Sequence, residues 1–204
     1  MKKPRVIAIT GGIGSGKSVI SRIVEAMGYS VYDSDREAKL LMDASDSIKS
    51  DIADKVDSSC IKNGIIDRTV LAGIVFSDTD KLNTLNSIVH AAVRKHLAEW
   101  IGHQAGTCFV ETAILYQSGL DVMVDEVWEV DAPDEVRIQR VMRRNNLSRK
   151  KVEERLHAQD SYIPPRLHDI RHHIDNDGDT AVLPRIEHLL LSVKDSVGHN
   201  REKI

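Results

Sequence analysis

An eight-residue run near the start of this sequence has the composition and spacing of a phosphate-binding loop. Residues 11–18 fit the P-loop pattern G-x-x-x-x-G-K-[ST]. In such a loop, backbone N–H groups surround phosphate oxygens, and the N-terminus of the following helix adds partial positive charge. The residues predicted to bind a nucleotide here are Gly11, Gly12, Ile13, Gly14, Ser15, Gly16, Lys17, Ser18 and Val19.

The last two residues of the P-loop pattern have specific predicted roles. Lys17 is expected to reach the β- and γ-phosphates, and the Ser18 hydroxyl is expected to ligate Mg²⁺. The alternative is a glycine-rich turn with a chance lysine. The flanking residues favour the phosphate site, because an apolar β-branched run at 6–10 predicts a strand and residues 19–27 carry apolar side chains at helical spacing.

Three acidic residues end two further predicted strands. In open α/β sheets, ligands bind beyond the carboxyl ends of the strands, so these acids should face the phosphates. Asp33 is predicted to accept or orient the proton of an acceptor hydroxyl. For Asp33 and Asp35 the alternative role is a helix N-cap. Glu111 is predicted to lie near Mg²⁺, and the alternative is a solvated strand end.

The segment 137–155 is rich in basic residues. Arg140 and Arg144 are four residues apart, share a helical face and are predicted to close over phosphates as part of a lid. A solvated helix face and a nucleic-acid contact are the alternatives. Because the segment has no interleaved aromatic residues and the net charge is −3, no nucleic-acid partner is expected. The other basic residues, Arg137 among them, are expected at the surface.

Elements that could position these residues alternate along the chain as strands and helices. The core strands are predicted near 5–10, 30–33, 107–112, 126–131 and 172–175. The mostly helical stretch 36–103 is predicted to form an acceptor-substrate lobe, and residues 137–160 a lid. We therefore predict one α/β domain over residues 1–204, a P-loop NTPase-type three-layer sandwich with a mostly parallel central sheet, a helical acceptor-substrate insertion and a helical lid.

Composition agrees with one globular domain. The chain has 204 residues, of which 41% are hydrophobic. Cys60 and Cys108 lie far apart without a C-x-x-C motif and are expected to be packed, reduced thiols. No apolar run approaches transmembrane length. We expect a cytoplasmic protein without a membrane partner, as a monomer or small homo-oligomer.

Several motifs resemble those of the dephospho-coenzyme A kinase family, from about residue 5 to 190. Residues 32–35 are similar to its D-x-D element, and residues 85–90 to its L-N-x-I-x-H element. Further similar segments are 9–18, 67–76, 140–159 and 174–178. The sequence departs from the family pattern at Ala91, where proline is usual, and at Ala113 and Gln117 in the stretch after Glu111.

The resemblance implies phosphorylation of the ribose 3′-hydroxyl of dephospho-coenzyme A by MgATP. It implies Asp33 as the base, and it implies Lys17 and Arg140 as further catalytic residues. Arg144 and Asn176 are then further ATP-binding residues, and Ser18 and Glu111 the candidate Mg²⁺ ligands. The candidate acceptor contacts are Asp33, Arg68, His90 and Glu111.

Three other functions fit a P-loop. A shikimate-kinase-like enzyme also carries D-x-D after its second strand, but the long insertion and the L-N-x-I-x-H element argue against it. A GTPase switch would need an N-K-x-D element, which the sequence lacks. A nucleic-acid-dependent ATPase would show salt-dependent binding to DNA or RNA.

Overall fold

The computed structural model describes residues 3–198 and the side chains of residues 3–191. The strands are β1 (Arg5–Thr10), β2 (Ser30–Asp33), β3 (Ile61–Lys62), β4 (Ile65–Ile66), β5 (Thr107–Glu111), β6 (Glu126–Asp131) and β7 (Arg171–Asp175). The α-helices are α1 (Lys17–Ala26), α2 (Ser34–Ala44), α3 (Asp46–Lys55), α4 (Arg68–Ser77), α5 (Thr79–Gly102), α6 (Asp134–Asn145), α7 (Arg149–Asp160) and α8 (Val182–Gly198).

The central sheet has the strand order β2-β5-β1-β6-β7, and all neighbouring strands are parallel. The three most apolar strands, β5, β1 and β6, lie in the middle, where both faces of the sheet are covered. Each of the five strands begins and ends within one residue of its predicted position. The predicted α/β fold with a mostly parallel sheet is confirmed.

Alternating side chains of β1 divide the core into two layers. Ile7 and Ile9 pack on one face of the sheet with residues of α1 and α8, including Val24 and Ile186. Val6 and Ala8 pack on the opposite face with Val93 and Leu97 of α5. The sheet therefore lies between two helical layers.

The predicted acceptor-substrate insertion contains helices α2 to α5 and a hairpin that the sequence analysis missed. Strands β3 and β4 are antiparallel and are joined by Asn63-Gly64, both of which have positive φ angles (51° and 75°). Asn-Gly is the preferred pair for a type I′ turn, so the sequence did carry this signal. The insertion has its own apolar cluster, which includes Ile52, Leu71 and Val75.

Helices α6 and α7 form a helical hairpin beside the P-loop. Ile138 and Val141 of α6 pack with Val152 and Leu156 of α7, and Ile13 of the P-loop contacts this cluster. No helix in the described part of the chain is both long and apolar enough to cross a membrane. Cys60 and Cys108 are buried and free, as expected.

Candidate active site

The P-loop and two acidic side chains meet at the carboxyl edge of the central sheet. The P-loop follows β1, and β1 pairs with β5 so that Ile9 lies beside Glu111. On the other side of β5, Asp33 of β2 lies beside Glu111 in the parallel register. Parallel pairing therefore brings Asp33 and Glu111 together although they are far apart in the sequence.

Glycines in the P-loop are required by both conformation and packing. Gly14 and Gly16 have φ angles of +81° and +96°, which side-chain-bearing residues rarely adopt. A Cβ on Gly14 would lie 2.6 Å from the carbonyl oxygen of Arg137, and one on Gly16 would collide with the side-chain amide of Asn176. The loop thus keeps its shape by close contact with α6 and with the end of β7.

Lys17 is held by the loop to which it belongs. Its Nζ donates hydrogen bonds to the carbonyl oxygens of Gly11 (2.8 Å) and Gly12 (3.2 Å). Burial lowers the pKa of Lys17, while the Glu111 and Asp35 carboxylates act in the opposite direction. The ammonium group is therefore positioned in advance, at a point where phosphate oxygens could replace the carbonyl oxygens as its acceptors.

A cavity of about 940 Å³ opens beside the P-loop. Its wall combines P-loop residues, carboxylates from the sheet edge, residues after β5 and side chains from α6, α7 and the end of β7. The residues that line it are Ile13, Gly14, Gly16, Lys17, Ser18, Val19, Asp33, Asp35, Glu111, Ala113, Ile114, Gln117, Arg140, Val141, Arg144, Ala158, Gln159 and Asn176. A volume of this size lies at the upper end of the range for small-molecule sites.

Asp33 has both of the roles considered for it from the sequence. Its Oδ1 accepts a hydrogen bond from the Arg36 backbone N–H at 3.0 Å, so Asp33 is the N-cap of α2. It also lines the cavity. Asp35 is not the cap, because it lies in the first turn of α2, and it too lines the cavity. No catalytic role is predicted for Asp35 from the sequence.

The carboxylates at the cavity wall disturb one another's ionisation. Desolvation raises the pKa of Asp35, and the Asp33 carboxylate adds to this effect. Burial also raises the pKa of Glu111, with Asp33 and Asp35 acting in the same direction and Lys17 opposing them. The wall therefore concentrates negative charge close to the Lys17 ammonium, and Arg140 and Arg144 bring further positive charge to the same cavity.

These residues fit a bound Mg²⁺. Carboxylate and hydroxyl oxygens are the donors that Mg²⁺ prefers, and Ser18, Glu111, Asp33 and Asp35 bring them to one cavity. Among the side chains of residues 3–191, no three carboxylate, thiol or imidazole groups form a ready-made metal cluster. This agrees with the usual way of binding Mg²⁺, in which one or two protein ligands share the ion with substrate phosphates and water.

Arg140, Arg144 and Asn176 line the cavity, as the sequence-based assignment requires. Arg140 Nη1 donates to the carbonyl oxygens of Asn176 (2.9 Å) and Ser15 (3.3 Å). The buried Asn176 side chain donates from Nδ2 to the same Ser15 oxygen at 2.8 Å. Arg140 and Asn176 therefore support the P-loop as well as lining the site.

Arg137 corrects the expectation that the remaining basic residues lie at the surface. Its residue exposure is only 6%, and its Nε donates to the Ile13 carbonyl oxygen at 3.1 Å. The guanidinium also pairs with Asp134 and Asp160. Burial is tolerated because these partners satisfy the charge.

Gln159 falls in the lid pattern of the family resemblance, and in the structure it connects two walls of the cavity. Its Oε1 accepts from the Ile13 backbone N–H at 2.7 Å, and its Nε2 donates to the Ala113 carbonyl oxygen at 2.9 Å. These partners are 146 and 46 residues away along the chain. Only its place in the resemblance could have singled it out.

Arg68 and His90, the predicted acceptor contacts in the insertion, do not line the cavity. The Arg68 guanidinium donates to Asp43 at 2.8 Å. His90 lies on α5, and burial together with the nearby Arg94 guanidinium lowers its pKa. Their roles in acceptor binding stay predictions.

The site is that of a P-loop kinase. It combines a P-loop between β1 and α1, acids at the ends of β2 and β5, and arginines from the α6–α7 hairpin. The sequence model of the family described as dephospho-CoA kinase matches residues 5–181. The chain belongs to this dephospho-CoA kinase family.

Individual relatives agree with this assignment. A dephospho-CoA kinase of Porphyromonas gingivalis is 35% identical over 189 residues, covering 92% of this chain and 94% of the relative. The crystal structure of TT1252 from Thermus thermophilus superposes with a TM-score of 0.75 at 31% identity, covering 96% of this chain and 98% of that chain. A dephospho-CoA kinase from Campylobacter jejuni shares the fold, with a TM-score of 0.63 at 22% identity and coverage of 96% and 98%. The shikimate-kinase-like alternative is not favoured.

Proposed function

We propose that this protein transfers the γ-phosphoryl group of ATP to the ribose 3′-hydroxyl of dephospho-coenzyme A, which yields coenzyme A in the final step of its biosynthesis. The observation that carries the proposal is the meeting of Lys17, Asp33 and Glu111 at one cavity, in a chain of this family. The cavity has the volume for a nucleotide and part of a second substrate.

The phosphates of ATP bind to the P-loop in this proposal. The Lys17 ammonium exchanges the carbonyl oxygens of Gly11 and Gly12 for phosphate oxygens. Arg144 approaches from α6 and adds positive charge over the phosphates. Arg140, held by carbonyl oxygens of the P-loop and of Asn176, keeps a further positive charge beside the loop.

The chemical step needs an acceptor hydroxyl beside Asp33. The 3′-oxygen forms a bond to the γ-phosphorus as the bond to the β,γ-bridging oxygen breaks and ADP leaves. The hydroxyl proton passes to the Asp33 carboxylate, which the cap hydrogen bond from Arg36 keeps fixed at the end of β2. Positioning and charge neutralisation supply most of the rate in such transfers.

Mg²⁺ would be held by the Ser18 hydroxyl and, directly or through water, by Glu111. When bound, it neutralises negative charge on the transferring phosphates. Glu111 fits this role because burial, and after it the neighbouring Asp33 and Asp35 carboxylates, raise its pKa, and a bound cation would stabilise its charged form.

The helical insertion is the proposed acceptor lobe. Its first helix, α2, begins directly after its N-cap Asp33, and α5 packs on the sheet, so the lobe is anchored beside the cavity. Residues after β5, among them Ala113, Ile114 and Gln117, complete the wall. We propose that Arg68 and His90 contact parts of the acceptor that extend beyond the described cavity. The single domain, cytoplasmic location and monomeric or small oligomeric state stay predictions.

Coupled ADP release with MgATP tests the acceptor. Dephospho-coenzyme A is compared with shikimate, gluconate and nucleoside monophosphates at equal concentration. Turnover restricted to dephospho-coenzyme A is the expected result. Turnover with a control acceptor instead would overturn the assignment of the insertion as a lobe for dephospho-coenzyme A.

A further inference from the structure

Both polar groups of one P-loop residue are bound by side chains of the α6–α7 hairpin. The Ile13 N–H donates to Gln159 Oε1 at 2.7 Å, and the Ile13 carbonyl oxygen accepts from Arg137 Nε at 3.1 Å. The Ile13 side chain packs against the apolar cluster between α6 and α7. This residue is thus attached to the hairpin by its backbone and by its side chain.

Gln159 and Arg137 are in turn fixed in place. Arg137 is 6% exposed and pairs with Asp134 on its own helix and with Asp160, the residue after Gln159. Gln159 Nε2 donates to the Ala113 carbonyl oxygen at 2.9 Å, two residues beyond Glu111. The side-chain amide of Gln159 therefore joins the P-loop to the segment that follows β5.

A P-loop with four glycines in eight residues has a large conformational freedom to lose when it surrounds a phosphate. A contact that holds Ile13 before the nucleotide arrives reduces this loss, and the saving appears as affinity. The side-chain Oε1 and Nε2 of Gln159 make no hydrogen bond within helix α7, because they bond to Ile13 and Ala113 in other elements.

We propose that Gln159 is a positioning residue that holds the P-loop in its phosphate-binding shape through its hydrogen bond to the Ile13 N–H. The proposal rests on the proposed function only in taking the P-loop as the ATP site. It makes no use of the acceptor, so nucleotide binding tests it even if the acceptor assignment fails.

Two substitutions separate the bonds that Gln159 makes. Gln159→Met has similar length and loses both bonds, whereas Gln159→Glu keeps the acceptor for Ile13 and loses the donor to Ala113. Gln139→Met is the matched control, because Gln139 lies exposed on α6 and bonds only to Glu135 among the described side chains. Hydrogen exchange at the Ile13 amide and calorimetric titration with MgATP, without acceptor, are the two measurements.

We expect Gln159→Met to speed exchange at Ile13 and weaken MgATP binding, each by about tenfold, the size of the one hydrogen bond that Ile13 loses. Gln159→Glu should restore Ile13 exchange to within about threefold of the parent protein, and Gln139→Met should leave both values unchanged. The proposal is wrong if Gln159→Met lowers only the melting temperature while Ile13 exchange and MgATP affinity match the control. It is equally wrong if the Ile13 amide exchanges as fast in Gln159→Glu as in Gln159→Met.

Discussion

Asp33 both caps α2 and faces the cavity, and substitution can separate these two roles. Asn accepts the Arg36 N–H as well as Asp does, so Asp33→Asn should change the free energy of unfolding by only a few tenths of a kcal/mol, roughly. An amide cannot take the proton of the acceptor hydroxyl. We therefore expect kcat to fall about 10²- to 10⁴-fold, with a smaller effect on KM. This corresponds to about 3–5 kcal/mol on the activation barrier.

Asp33→Ala should lose the same activity and, in addition, about 1 kcal/mol of stability with the cap. The control is Asp78→Ala, because Asp78 caps α5 through the N–H groups of Asp80 (3.0 Å) and Lys81 (3.1 Å) and does not line the cavity. It should lose similar stability with kcat unchanged. Urea unfolding and coupled ADP release give the two numbers. A kcat near that of the parent protein for Asp33→Asn would refute the role of Asp33 as the base.

Three further predictions follow from the same site. Lys17→Ala should reduce kcat/KM by orders of magnitude in the ADP-release assay, and a loss below about tenfold would contradict the phosphate-binding role. Gly16→Ala should destabilise the protein in urea by at least about 1–2 kcal/mol, because φ is +96° and the new Cβ collides with Asn176. Gly73→Ala, where nothing lies within 4 Å, should not destabilise it. Burial and neighbouring acids raise the pKa of Glu111 in the folded protein, so ionisation of Glu111 lowers the free energy of unfolding. This destabilisation is absent below the pKa of Glu111 in the unfolded chain, and it develops as the pH rises through the pKa of Glu111 in the folded protein. Glu111→Gln should therefore raise the melting temperature of the ligand-free protein at neutral pH and not at pH about 4, while Mg²⁺-dependent turnover falls; equal melting shifts at both pH values would contradict this.

Local sequence signals identified the parts of the site that depend on short-range structure. The apolar run 6–10 and the glycines after it place the P-loop, since a buried parallel strand and a loop with positive φ angles each require particular residue types. The same reasoning placed Asp33 and Glu111 at strand ends. Their position side by side depends on the pairing of β2 with β5, which the strand ends alone do not specify.

The burial of Arg137 and the role of Gln159 could not be predicted from the sequence, because both depend on long-range hydrogen bonds. A run of arginines on a helix looks the same whether one of them is buried or not, and Arg137 is buried because Ile13 and Asp160 receive its donors. Gln159 reaches a backbone N–H 146 residues away, and no local pattern encodes that distance. By contrast, the hairpin at Asn63-Gly64 had a local signal and could have been predicted.

The most direct test of the central claim is to identify the product by mass spectrometry after incubating the purified protein with MgATP and dephospho-coenzyme A. A product with the mass of coenzyme A, phosphorylated at the ribose 3′-oxygen and formed in equal amount to ADP, is the expected result. ADP formed together with free phosphate and unchanged dephospho-coenzyme A would contradict the proposed transfer, because water rather than the 3′-hydroxyl would then be the acceptor.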